Sequence, residues 1–495
     1  MSVLTVAVGA HDAADVTVSN TTSVPNFVPE THAQGRGRWL PRLASAALAT
    51  YLLLIVAAVI AYKVAFVGQI EIDPWFGLYG LVVTTYILSR FALSVAYGTP
   101  PDAGMCPPVA VVMPGFNEEG AIAASLQSIL ALDYPADRLQ IVAVNDGSTD
   151  GTSAEMHRVA AMADGRITVI DFPENRGKRA AMAAGIRATD AEIVAFVDSD
   201  SQLEPDAMDR LVQAFFDPRV GAVCGHAEVL NVKETWLTKM QAVRYFVAFK
   251  VFKAAESVFG AVTCCSGCFS AYRREAIMPR LDWWEHQTFL GRPSTFGDDR
   301  SLTNIVLRNW RVVYHAEAVS HTAVPHTFRQ FMKQQARWKR SWTRESLLVA
   351  TFMWRKNPLA SIPVYVGMIL PLIAPVTAIR TTLWRPIVAG HSAPVIYLVG
   401  IYSIALVYSL YFAFRKRNYD TLWIYGIAFV FFYLAFMLWQ TYYAIFTSRT
   451  ASWGTRPATA GTLKEEPVPA VFSPLAALAQ TAATTEPDVD GAVAR

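Results

Sequence analysis

The sequence predicts a three-layer α/β domain set within an α-helical membrane protein. Three observations carry that class. The 495 residues are 53% hydrophobic and only 17% charged, with a mean hydropathy of +0.28, whereas soluble domains sit nearer a quarter charged. Several apolar runs are long enough to cross a bilayer at roughly 20 residues each. Between Gly98 and Leu348, short β-branched runs alternate with amphipathic stretches, as a sheet layered between helices requires. Disordered, collagenous and disulfide-scaffold classes are excluded. The formal charge of +3 arises from 43 basic and 40 acidic residues, so no global field favours nucleic acid. Five cysteines, with Cys264, Cys265 and Cys268 clustered, fit a reducing compartment.

In order along the chain, residues 1–35 are small and polar and read as a disordered tail. The run from Leu43 to Val67 carries one charge, Lys63, and follows Arg36, Arg38 and Arg42. It is a first span with a cytoplasmic N-terminus, too long for a signal peptide and without a cleavage site. A second span, about Pro74 to Ala96, completes the pair predicted over 43–96 and returns the chain to the cytoplasm. The α/β domain follows over 98–324, then an amphipathic interface helix over 325–350 containing QQARWKRSW. Two further spans fill 358–414, closed by Arg415, Lys416 and Arg417; Arg380 and Arg385, on the outer side, count against that orientation. The stretch 422–446 is long enough to cross, yet Arg449, Arg456 and Lys464 follow it. A re-entrant or in-plane element is favoured over a fifth span. A loop over 447–458 and a disordered tail over 459–495 end the chain. Localisation in the cell membrane, multi-pass, with the α/β domain cytoplasmic, follows from this charge pattern.

Within the domain, VAVVM (109–113), IVAVN (141–145), ITVID (167–171) and IVAFV (193–197) read as buried parallel strands. Each ends on polar or acidic residues: Asn117 and Glu118, Asp146, Asp171, and Asp198 with Asp200. Open parallel sheets bind ligands at that edge. Asp146 in VNDGSTDGT can accept the imide N–H of a uracil, although two such turns also occur as plain Asp/Gly turns. DSDS (198–201) places two carboxylates on one side of an extended segment. That suits Mg2+ or Mn2+ bridging a diphosphate, with Lys178 or Arg179 of NRGKR directed at phosphate charge. GDDRSLTN (297–304) offers a base for an acceptor hydroxyl or a helix cap. In QQARWKRSW, Arg337 can pair with a leaving diphosphate and Trp338 or Trp342 can face a sugar ring, while a membrane-surface helix has the same composition. Cys265 and Cys268 have CxxC spacing without a second pair, and read as structural thiols. The scattered histidines fit neither a metallohydrolase nor a serine hydrolase.

The set PGFNEE, NDGSTD, NRGKR, DSDS, CSGCFSAYRRE, TFLGRPSTFGDDRSLTN, QQARW and SWGTR resembles the processive family 2 glycosyltransferases, and among them the bacterial hyaluronan synthases of streptococcal type. The resemblance runs from about Leu43 to Arg456 and is most specific from Cys265 to Arg344. It implies a GT-A fold, UDP-sugar donors, inversion at the anomeric carbon, and secretion of the growing polysaccharide through the enzyme's own spans. It implies that Asp146, Lys178, Asp198 and Arg337 bind the nucleotide, with Trp453 and Arg456 of a WGTR loop closing over the donor. Asp200 would hold the metal, Asp299 would be the base, and Ser266, Gly267, Gln334 and Trp338 would line the acceptor site. No nucleic acid and no obligate protein partner is implied beside the lipid bilayer. The Asp298, Asp299 pair favours the hyaluronan branch (GlcNAc with glucuronate) over the related chitin-type synthases using UDP-GlcNAc alone. Cys268 departs from the proline usual after Ser-Gly and bears on the acceptor pocket's shape. A single-transfer enzyme acting on a lipid carrier is the other alternative.

Overall fold

The computed structural model describes residues 73–389, 393–416 and 421–449. The predicted first span and the WGTR loop, with Trp453 and Arg456, lie outside the described residues.

Strands β1 (Val109–Gly115), β2 (Leu139–Asn145), β3 (Ile167–Asp171) and β4 (Ile193–Phe196) pair in parallel in the order β3-β2-β1-β4. The alternation of β1 shows why this sheet is layered on both sides. Val112 joins a core with Val142, Val144, Ala181 and Met182. Val109, Val111 and Met113 face the opposite core with Ile122, Leu126 and Met156. Successive side chains of a strand point to opposite faces, so helices are needed on both: α1 lies elsewhere in the chain, at Pro74–Ala96, while α2 (Ile122–Leu130) and α3 (Thr152–Ala161) cover one face and α4 (Lys178–Arg187) the other.

The other half of the sheet is mixed. Strands β5 (Ser201–Leu203), β6 (Val220–Val229), β7 (Ser270–Arg273) and β10 (Arg311–Thr322) extend it to eight strands in the order β3-β2-β1-β4-β7-β6-β10-β5. β7 runs antiparallel to both β4 and β6, and β10 is parallel to β6. A short hairpin, β8 (Thr288–Phe289) and β9 (Arg292–Pro293), precedes the helix that carries the GDD motif.

Below the sheet, α5 (Trp236–Phe246) and α7 (Phe328–Ala350) carry the domain onto apolar helices; α6 (Asp298–Asn309) lies between them in sequence. Phe246 of α5 packs edge-on against Phe412 at 5.1 Å. Among the described residues three helices are long and apolar enough to cross a membrane: α1, a 31-residue helix Pro358–Val388 that begins with α8 (Pro358–Ile379), and Tyr397–Lys416 within α9 (Ala393–Lys416). Arg380 and Arg385, which the sequence places on the outer side, share one carboxylate. Asp73, the N-cap of α1, takes Arg380 Nη1 at 2.6 Å and Arg385 Nε at 3.4 Å.

The last apolar element is broken. Leu422–Met437, which includes α10 (Leu422–Phe432), and α11 (Gln440–Phe446) meet at 42°. The break follows a π-helical turn over Tyr433–Met437, and Lys339 of α7 donates from Nζ to the Met437 carbonyl at 2.6 Å and to Thr441 Oγ1 at 3.1 Å. An inserted side chain that satisfies a freed carbonyl is one of the few stable ways to kink a helix.

Candidate active site

The end of β2 delivers Asp146, which is buried. Its Oδ1 accepts the backbone N–H groups of Arg176 (2.8 Å) and Gly177 (3.1 Å), and its Oδ2 accepts Asn175 Nδ2 at 3.2 Å. The carboxylate therefore ties the NRG turn to the strand end and fixes where α4 begins. The first two residues of α4 then diverge, because adjacent helical residues are about 100° apart. Lys178 points into a cavity and its Nζ bonds Asp198 Oδ1. Burial alone would lower the ammonium, but the Asp198 carboxylate beside it holds it above the ordinary lysine value. Arg179 points the other way, into the protein, where Nε pairs with Asp298 at 3.0 Å and Nη1 bonds the Trp284 carbonyl (2.9 Å) and Gln287 Oε1 (2.8 Å). Of the two candidates in NRGKR, only Lys178 faces the site.

The GDD motif divides by partner, since Asp298 and Asp299 both border the cavity. Gly297 caps α6 with φ +79, and a Cβ there would lie 1.8 Å from Ser341 Oγ, so only glycine fits the turn that starts this helix. Asp298 is consumed by Arg179. Asp299, one residue on, lines the cavity; its Oδ1 accepts the Arg300 N–H at 2.7 Å, and Cys264 Sγ–H donates to Oδ2 at 3.6 Å. Burial, then the Asp299 charge, pushes the Cys264 thiol up to about 12, which keeps it a donor. Arg300 is engaged electrostatically by Cys264, Asp299, Glu256 and Glu345, which outweigh burial and hold it above its ordinary value.

Asp198 and Asp200 reach the same cavity from the end of β4. Gly267 sits directly against Asp198: an added Cβ would be 2.9 Å from both carboxylate oxygens. Ser266 Oγ donates to Cys268 Sγ at 3.5 Å, and the backbone N–H of Ser266 reaches Cys224 Sγ at 3.4 Å. Cys224 also takes Lys253 Nζ at 3.1 Å. Burial opposes its ionisation, but the Cys265 thiol and the Lys253 ammonium hold it below the usual thiol range. Cys265 and Cys268 are buried free thiols.

The cavity measures about 510 Å³. Lys178, Asp198, Asp200, Ser266, Gly267, Asp299, Gln334, Arg337 and Trp338 all line it, although they come from segments 160 residues apart in order of sequence, from α4 to α7. Asp146 stands outside its lining. The cavity continues to Phe429, Tyr433 and Met437 of the broken apolar element. Sequence reasoning missed Arg244, Lys253 and Cys264, which also line it; in sequence they are an ordinary basic position on an amphipathic helix, another nearby, and the first cysteine of a pair. Among the described residues no group of three or more His, Cys, Asp or Glu side chains could hold a metal ion alone. Asp198 and Asp200 are instead two hard oxygen donors at a strand end, a set that fits Mg2+ or Mn2+ only when phosphate oxygens complete the coordination. Chemically, the cavity joins a cation beside a carboxylate pair to a separate carboxylate on a helix start, with an aromatic wall opposite.

The comparisons with known proteins agree with this geometry. Residues 110–280 match Glycosyl transferase family 2. The chain is similar to an N-acetylglucosaminyltransferase of Rhizobium meliloti (strain 1021), 37% identical over 57% of this chain and 68% of the relative. It is also similar to hyaluronan synthase of Streptococcus pyogenes serotype M3, 32% identical over 77% of this chain and 90% of the relative. Among solved structures, mannosyltransferase PcManGT from Pyrobaculum calidifontis, in complex with GDP-Man and Mn2+, superposes with a TM-score of 0.52 at 24% identity, covering 77% of this chain and 99% of that one. The domain thus has a GT-A-like fold, joined to helices apolar enough to span a membrane. With that architecture, the motif set and a relative matched along nine-tenths of its length, the chain belongs to glycosyltransferase family 2.

Proposed function

We propose that the protein is a processive, inverting glycosyltransferase of the cell membrane that polymerises UDP-sugars, GlcNAc alternating with glucuronate, and secretes the polysaccharide through a channel built by its own helices. The observation that carries this reading is the continuity of one cavity from the carboxylates at the strand ends to Phe429, Tyr433 and Met437 of an apolar helix pair. A single-transfer enzyme needs the first half of that cavity and has no use for the second. The match to a hyaluronan synthase over 90% of its length supports the sugar pair.

In this reading Lys178 and Arg337 neutralise the diphosphate, and Asp198 and Asp200 hold its divalent ion. The ion, when bound, disperses the charge that develops on the leaving UDP. Asp146 fixes the turn on which Lys178 stands, close to where the base of the nucleotide would lie, and Trp453 with Arg456 closes the donor site. Asp299 accepts the proton of the acceptor hydroxyl, while Cys264 and the Arg300 N–H orient its two oxygens. Ser266, Gly267, Gln334 and Trp338 receive the acceptor sugar. The N-terminus and the domain face the cytoplasm, as the basic end of α9 indicates, and the domain boundaries follow those drawn from the sequence. The match to an N-acetylglucosaminyltransferase keeps a poly-GlcNAc product as the second reading.

Product analysis decides between them. Purified protein given UDP-GlcNAc and UDP-glucuronate together should make a long polymer degradable by hyaluronidase, with only short products or free sugar from UDP-GlcNAc alone. A long chitinase-sensitive polymer from UDP-GlcNAc alone would replace the proposed sugar pair, and one transfer per acceptor would end the processive reading.

A further inference from the structure

The cavity's two ends carry opposite charge, and only one end is internally compensated. At the strand ends, Asp198 has Lys178, Asp298 has Arg179, and Asp299 has the Arg300 N–H and the Cys264 thiol. At the membrane side stands Arg244 of α5. Its guanidinium lies between two rings, 5.5 Å from the centroid of Trp338 and 5.6 Å from that of Phe429. Its Nη1 is buried without a hydrogen-bond partner, and among the described residues no carboxylate is among the groups acting on its charge. Burial accordingly pulls it below the ordinary arginine value, with only the hydroxyls of Tyr245 and Tyr433 acting the other way.

The neighbouring cation makes the imbalance larger. Lys339 bonds the Met437 carbonyl and Thr441 Oγ1, both neutral. Burial and then the charge of Arg244 lower it to about 8. A buried cation with an unfilled donor is costly to a fold that gains nothing from it. The cost is offset when a ligand brings the anion.

From this arrangement we infer that Arg244, flanked by the rings of Trp338 and Phe429, forms a subsite for a sugar carboxylate, so that the acceptor glycan is read as one containing hexuronate units. The inference rests on the proposed reading that this cavity takes a growing glycan, and it adds the chemical class of the sugar held there. A pyranose with a carboxylate matches what the wall offers: aromatic faces for the ring, and a planar guanidinium whose N–H groups can take a carboxylate in a forked pair. The diphosphate of the donor is the other anion at hand; in the proposed reading its partners are Lys178, Arg337 and the divalent ion that Asp198 and Asp200 would hold. The test therefore separates the two anions.

Full-length protein in lipid nanodiscs at about 0.15 M salt, saturated with UDP, is titrated with an oligosaccharide of alternating N-acetylglucosamine and glucuronate, and with the same oligosaccharide after reduction of its carboxyls to primary alcohols. Wild type should bind the acidic form on the order of tenfold or more tightly, as one charge-assisted hydrogen-bonded pair implies. Arg244→Gln should bring the ratio close to one, Arg244→Lys should keep part of it, and both variants should bind UDP as wild type does, which also shows that they are folded. Equal binding of the two oligosaccharides by wild type, an unchanged preference in Arg244→Gln, or a loss of UDP affinity as large as the loss for the acidic glycan would overturn the inference. A protein that makes only poly-GlcNAc yet keeps an Arg244-dependent preference would refute the proposed sugar pair and leave the subsite standing; a protein that makes the alternating polymer without any preference would refute the subsite alone.

Discussion

Asp298 and Asp299 are adjacent in sequence, and the structure predicts that removing them fails in two different ways. Asp298 is buried with Arg179, each side chain 5% exposed, at an N···O distance of 3.0 Å. At an effective dielectric of about 20 the attraction is ~5.5 kcal/mol. Arg179 already carries one buried unpartnered donor, Nη2, so Asp298→Ala leaves its charge uncompensated, and breaking such a pair typically costs about 3–5 kcal/mol. For a domain of this size that corresponds to a fall of roughly 6–20 °C in the midpoint of thermal unfolding. Among the described residues no cationic side chain is bonded to the Asp299 carboxylate, which faces the cavity. Asp299→Asn keeps the shape and removes the proposed base, so polymer synthesis should fall ~100-fold or more while UDP affinity and unfolding midpoint stay near wild type. The assay is paired: unfolding followed by intrinsic fluorescence in nanodiscs, and incorporation of labelled UDP-sugar by the same preparation. An Asp298→Ala variant as stable as wild type refutes the assignment of Asp298 to the fold. An Asp299→Asn variant with most of its rate refutes Asp299 as base.

Two further outcomes follow from the same geometry. In the proposed reading Asp200 and Asp198 would hold the ion only together with phosphate oxygens, so Asp200→Ala should abolish the divalent-ion dependence of UDP binding along with activity; full activity in excess chelator would exclude the metal-dependent reading. His226 and His315 are buried on strands, and burial, the leading cause at each, lowers both to about 4. The unfolded chain takes up these protons near pH 6.5 and the folded chain only near 4, so stability is fully present above 6.5 and is lost as pH falls toward 4, by roughly 3 kcal/mol per histidine. Denaturation between pH 7 and 4 should show that slope, and a flat profile would contradict it.

The first half of the sheet was legible in the sequence because β1, β2 and β4 are runs rich in β-branched and small apolar residues buried on both faces, while β3, at the sheet edge and expected to be buried, has only Ile167 buried. The second half was not. β6 reads VGAVCGHAEV and β10 reads RVVYHAEAVSHT, and both interrupt the apolar pattern with residues that resemble loop chemistry. The structure spends those polar groups internally: His226 Nδ1 bonds Tyr314 OH at 2.9 Å, and Ser320 Oγ donates to the His226 carbonyl at 3.1 Å. Composition records a histidine and cannot record its partner. The site shows the same limit at finer scale. Sequence spacing nominated Lys178 or Arg179, and Asp298 or Asp299, and could go no further, since whether a residue faces the cavity, as Lys178 does, or is taken up in a buried ion pair, as Asp298 is with Arg179, depends on the partners the fold brings together. Arg244 carried no motif at all; its interest lies in lacking a partner, which is a property of the folded chain.

The orientation of the apolar helices turns on a similar distinction. Counting arginines at the end of an apolar run treats each as a charge that must remain on one side of the membrane. By that count Arg380 and Arg385 oppose the basic end of α9. In the fold both approach the single carboxylate of Asp73, itself fixed as the N-cap of α1 by the Phe76 N–H at 3.2 Å. The sequence distance between partners, 307 residues for Arg380 and Asp73, places this pairing beyond any local rule. The end of the apolar helices at Asp73 therefore holds two cations against one buried anion, whereas Lys416 at the other end of α9 pairs with Glu228 of β6, a strand of the α/β domain. The basic end of α9 is thus held to the domain by an ion pair, so the domain and that end of the helix share one side of the bilayer whichever side it is. The charge count then has to decide only which side that is, and the partial neutralisation of Arg380 and Arg385 leaves the basic end of α9 and the arginines before the first predicted span in agreement.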